Sequence, residues 1–127
     1  MTERAIAGGE APPEASADRS LWFGIVAPPL AWAANELAGL LLPDWVCKSG
    51  HRWVLHAITA AALAIAVLAG AMASRSARPS EEDAGDPEGP IAKRRRFMSQ
   101  LAVMSALFFS LVIVAGAVPG AIHRPCD

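Results

Sequence analysis

Three apolar stretches, Leu21–Leu42, Val54–Ala73 and Phe97–Val118, each supply the roughly 20 residues that a helix needs to cross a hydrocarbon core about 30 Å thick. No other feature of this 127-residue chain restricts its fold so strongly. Hydrophobic residues make up 54% of the sequence, and they are gathered into these blocks, with charged or Pro/Gly-rich sequence between them. In water, long helices apolar on every side would need polar elements to cover them, and a chain this short has few to offer. Only helices and closed barrels satisfy every backbone polar group in lipid, and the alternating pattern of barrel strands is missing. The expected fold is all-α: a polytopic membrane protein of three transmembrane helices, with a short outer loop and a disordered inner loop.

The expected divisions follow from the block ends. Residues 1–20 are a flexible cytoplasmic tail, 21–42 the first span, 43–53 an outer loop, and 54–73 the second span. Residues 74–96 are a disordered cytoplasmic loop, 97–118 the third span, and 119–127 an outer tail. Leu21–Leu42 does not read as a cleaved leader. Glu3, Glu10, Glu14 and Asp18 precede it, Glu36 lies inside it, and Pro43-Asp44-Trp45 follows it instead of small residues. The loop assignment at 74–96 rests on Pro79, Pro87, Pro90, Gly85, Gly89 and the acidic run Glu81–Asp83, which leave little to bury.

Direction follows from charge. With three spans the N-terminus and the second loop share one side, which carries Arg4, Arg19, Arg75, Arg78, Lys93, Arg94, Arg95 and Arg96. The other side carries Lys48, Arg52 and Arg124. Basic residues near span ends stay in the cytoplasm, and acids count for little, so the N-terminus is expected in and the C-terminus out. Arg outnumbers Lys nine to two, Ala is abundant and Tyr is absent, a composition that suggests a bacterial source and hence an inner membrane. The aromatic residues suit this frame. Trp22 and Phe23 fall at one end of the first span, and Trp45 and Trp53 bracket the outer loop.

Asn35-Glu36 is the unusual polar pair within a span. An ionisable group at such depth is expected to face the bundle interior with a partner. Glu36 lies six residues below Leu42, about 9 Å at the helical rise. At that depth His56 and Thr59 of the second span come within reach, with Ser110 of the third at a similar level. Asn35, Glu36, His56 and Thr59 therefore form the candidate intramembrane contact. It would be either a latch between helices or a site that handles a proton or ligand through Glu36 and His56. Pro28-Pro29 removes two backbone donors and is expected to kink the first span. The Ala-rich second span, with pairs such as Ala66 and Gly70, suits close helix packing.

Cys47 and Cys126 are the two cysteines, and both fall on the outer side. In an oxidising compartment they are expected to form a disulfide. A sharper alternative is a copper or zinc site built from Cys47, His51, His123 and Cys126, with His56 nearby, since thiolates and imidazoles suit those ions.

Trp22-x5-Pro28-Pro29-Leu30-Ala31-Trp32, Cys47, a His at the start of the second span, Arg96-Phe97 and Pro125-Cys126 together form a pattern. It resembles small three-span bacterial inner-membrane proteins encoded near haem–copper cytochrome c oxidase genes. That resemblance implies an accessory or assembly role in a respiratory complex, and no catalytic residue can be carried over from it. The expected partners are the bilayer and another membrane protein, with a terminal oxidase as one such partner, and no nucleic acid. Three functions are therefore set against each other: an accessory subunit or assembly factor, a homo-oligomeric transporter or channel using Glu36, and an outer-face metal or thiol redox protein. An enzyme is not expected, because no nucleophile–base–orienter set and no phosphate loop is present.

Overall fold

The computed structural model describes residues 13–76, 89–123 and 126, with side chains from Asp18 onward. Its described residues are almost wholly helical, with no strand among them. The elements are α1 (Pro13–Leu41), α2 (Pro43–Ser49), α3 (Trp53–Ser76) and α4 (Pro90–Ile122). By length and composition α3 and α4 can each cross a membrane, and α1 with α2 makes a third candidate span, bent by 55° at the break between them.

Three boundaries differ from the sequence expectation. Helix α1 begins at Pro13, so the last eight residues of the stretch read as a flexible tail are helical. Helix α4 begins at Pro90, so the basic run Lys93–Arg96 belongs to a 33-residue helix rather than to a disordered loop. The missed signal was Gly89-Pro90: proline at the first helical position needs no N–H and arrives with φ already set. At about 50 Å, α4 is longer than a hydrocarbon core is thick, which leaves its charged first turns room to project beyond one. The segment read as an outer loop contains α2. Proline again starts it, Asp44 and Lys48 complement its dipole, and it ends at Gly50, whose φ of 75° suits glycine. The expected flexible and disordered segments at 1–12 and 77–88 lie outside the described residues.

The bundle is filled by small side chains. Ala62, Ala66, Ala69, Gly70 and Ala73 form the buried stripe of α3, facing Ala27 and Ala31 of α1 and Ala102 and Ala106 of α4. Leu21, Met98 and Ile113 are the large side chains buried among them, while many others point outward, including Leu40, Leu41, Leu111 and Ile122, each at least 70% exposed. A surface this apolar suits hydrocarbon and not water. Small inward residues let helix backbones approach, which is how helices associate when lipid removes the usual hydrophobic drive. Backbones come close at Gly70, where a methyl group would stand 2.6 Å from Ala106 Cβ, and at Gly24, where two helices crowd the site at once. A methyl group at Gly24 would stand 2.6 Å from Ala73 Cβ, 3.0 Å from the Ala69 carbonyl oxygen and 3.2 Å from Ala102 Cβ.

Helix α1 continues through Pro28-Pro29 as one element, and a bend of 55° follows at the break before Pro43. Lacking an N–H, Pro29 cannot serve the Ile25 carbonyl one turn back. The Ser105 hydroxyl of α4 donates to that carbonyl at 3.4 Å. A backbone acceptor left unpaired by proline is thus met from a neighbouring helix. Ser105→Ala should cost about 1 kcal/mol in the wild-type background and much less beside Pro29→Ala, which restores the backbone donor. Equal costs in both backgrounds, measured by unfolding in detergent, would disprove the link.

Candidate functional site

At the end of the bundle nearest α2, glycine opens a space. Gly39 and Gly120 have no atoms within 4 Å of where a side chain would begin, and Gly116 has only the Glu36 carboxyl there, at 3.5 Å. The result is an open cleft of about 530 Å³ between α1, α3 and α4. Asn35, Glu36, His56 and Thr59 all line it, together with Arg52 at the start of α3 and Pro43 at the start of α2. Leu40, Leu55 and Ile58 supply apolar wall, and Gly116, Ala117, Gly120 and Ala121 form the α4 side.

Within the group, Asn35 makes the interhelical contact. The Thr59 hydroxyl donates to Asn35 Oδ1 at 3.0 Å and lies 3.1 Å from the Leu55 carbonyl of its own helix, so one proton serves two acceptors. Successive helical residues sit about 100° apart, and this separates Asn35 from Glu36. Pro28, Ala31 and Asn35 follow the stripe that faces the bundle, whereas Glu36 is exposed on the flank toward α4. The expectation of a buried Glu36 with a partner is therefore corrected. Among the described residues no hydrogen bond or ion pair involves the side chain of Glu36 or His56, and His56 is exposed as well. Ser110 also stands elsewhere, in a groove between α3 and α4 lined by Gly70 and Ala106. Glu36 is level with Gly116, and Ser110 lies six residues, about 9 Å, farther down α4.

The Asn35–Thr59 bond is a small but measurable latch. Interhelical hydrogen bonds in membranes average about 0.6 kcal/mol and reach about 1.7. A double-mutant cycle of Asn35→Ala and Thr59→Val should give a coupling of that size. Strict additivity would remove the bond.

Cys47 and Cys126 form a disulfide, with Cα atoms 5.6 Å apart. It ties α2 to the chain just beyond α4. The copper or zinc alternative needs two thiolates, and here both sulfurs are bonded to each other. No group of three or more His, Cys, Asp or Glu side chains comes together among the described residues. His51 stacks on Trp45 with centroids 6.1 Å apart, and His123 is exposed at the end of α4. In this redox state the four residues do not make a metal site.

Sequence reasoning missed Arg52 and the α4 wall. The available signal was Gly116-x3-Gly120, which sets two bare backbone positions on one helix face. Comparison with protein-family models, with curated proteins and with solved structures returned no match to this chain.

Proposed function

We propose that this protein is a small multi-pass accessory subunit or assembly factor of a larger membrane complex. In this reading the basic end, with Arg75 and Lys93–Arg96, stays in the cytoplasm, and the disulfide end faces the periplasm or exterior of a bacterial cell. The observation that carries the proposal is the exposed Glu36 on the flank of a bundle whose other outward groups there are mainly apolar. An ionisable group left against hydrocarbon costs about 2.5–3.5 kcal/mol on insertion scales, so contact with another protein is a favourable way to cover it. No catalytic role is assigned to any residue.

The resemblance to proteins encoded beside haem–copper oxidases makes a terminal oxidase the first partner to test. The tagged protein, solubilised in mild detergent, should co-purify with oxidase subunits in fixed ratio. A homogeneous particle containing this chain alone would refute the accessory role. A reporter fused after Asp127 should be active only outside the cytoplasm, and activity inside would reverse the orientation.

A homo-oligomeric carrier is the second reading. It is favoured by the size of the cleft, since about 530 Å³ falls within the usual range of small-molecule sites. It requires solute flux by the purified oligomer that is lost in Glu36→Gln.

A further inference from the structure

Three features define what the cleft can receive. Its volume of about 530 Å³ admits long side chains but no helix, which is about 10–12 Å across. Gly39 and Gly120 leave bare backbone along its edges, where a neighbouring helix can come close. The Glu36 carboxyl reaches across to Gly116 with both oxygens unpaired among the described residues.

The charges inside the cleft are layered. Thr59 is level with Asn35 through their hydrogen bond, which fixes α3 against α1. Arg52 lies seven residues, about 10 Å, nearer the disulfide end than Thr59, and His56 about 4.5 Å nearer. Glu36 sits only one residue, about 1.5 Å, above the Asn35 level. Arg52 is exposed at the mouth, and neither it nor His56 comes within ion-pairing distance of Glu36. The deeper charge is thus negative and unanswered, and the shallower one is positive and close to the end of the bundle. A cation approaching sideways through the apolar wall meets Glu36 where the dielectric is lower and the attraction stronger.

We infer that the cleft is a socket for a Lys or Arg side chain presented by a transmembrane helix of a different protein, with Glu36 as its counter-charge and the glycine edges as the seat for the helix backbone. This rests on the accessory-subunit reading and adds the chemistry of the partner. Glu36 would accept one or two charge-assisted hydrogen bonds from the incoming side chain.

The test uses the full chain in its native membrane. A photoreactive side chain placed at Gly39, where nothing stands within 4 Å, should crosslink to another protein. Mass spectrometry of the adduct should identify a transmembrane segment that contains Lys or Arg. Glu36→Lys should reduce the adduct at least tenfold, Glu36→Gln should reduce it severalfold, and exchanging the partner's basic residue for Glu should restore it to the Glu36→Lys protein. Retention of the Cys47–Cys126 bridge on a non-reducing gel shows that each variant has assembled, and Glu36→Gln, nearly identical in shape, carries the test if the lysine variant does not assemble. Adducts only to lipid, to a second copy of this chain or to a segment without a basic residue would overturn the inference, as would an undiminished adduct in both Glu36 variants. The two proposals can fail separately. If the complex purifies unchanged with Glu36→Lys, only the socket is lost; if no complex forms with the wild type, the accessory role is lost too.

Discussion

Gly24→Leu will prevent the three long helices from assembling, whereas Gly39→Leu will leave assembly intact. At Gly24 the first added carbon already meets Ala73, Ala102 and the Ala69 carbonyl oxygen at 3.2 Å or less. Two of those contacts are short alanine side chains and the third is backbone, so none can swing aside as the end of a long side chain could. Relief requires α1 to move away from α3 and α4, which would open the nearby cluster of Leu21, Ala73, Met98 and Ala102. Overpacking of a fitted core costs about 1–3 kcal/mol, and leucine against two helices at once should reach or exceed the top of that range. At Gly39 the same side chain enters open space. Thermal unfolding in detergent and the extent of Cys47–Cys126 bridging give the readout. Similar stability of the two variants would show that the three-helix junction is misplaced.

Reduction of the disulfide, or Cys47→Ser, is expected to have the other large effect. The bridge joins positions 79 residues apart, and closing a loop of that length is worth about 4.5 kcal/mol in the chain-entropy treatment. Much of that loop is anchored by α1, α3 and α4, so the loss should be concentrated at the end of the bundle where the bridge ties α2 to Cys126. The expected signs are slower mobility after reduction, alkylation of both thiols only after reduction, and faster proteolysis after Ile122. If both thiols react without reductant, or if the melting temperature is the same with and without it, the bridge does not stabilise this fold.

How much of this was legible in the sequence differs from residue to residue. The apolar blocks specify helices because lipid offers the backbone no other hydrogen-bonding partner, and block length limits how many can cross. Cys47 and Cys126 could be paired because no other cysteine exists to compete. The neighbourhood of Asn35, Glu36, His56 and Thr59 could be reached by counting depth along two antiparallel helices. Counting depth gives no rotation, however. About 100° about the helix axis separates Asn35 from Glu36, and only the packing of α1 against α3 decided which of them takes Thr59. The assignment of Glu36 as the buried partner failed for that reason.

The ends of the helices show the same division. Gly89-Pro90 and Pro43-Asp44 were readable start signals, overlooked because charge and proline content also suggest disorder. The cleft was not readable in advance. It depends on Gly39 of α1 and Gly116 and Gly120 of α4 arriving at one level, and on no large side chain from α3 filling the gap. By itself the sequence determined helices long and apolar enough to span a membrane and one possible intrachain bridge, because these depend on composition, length and a pair of cysteines. Tertiary structure alone decided the rotation of each helix, the three-way contact at Gly24, and the exposure of Glu36 beside an open cleft. Those depend on how helix faces meet, a relation between distant residues that no local pattern contains.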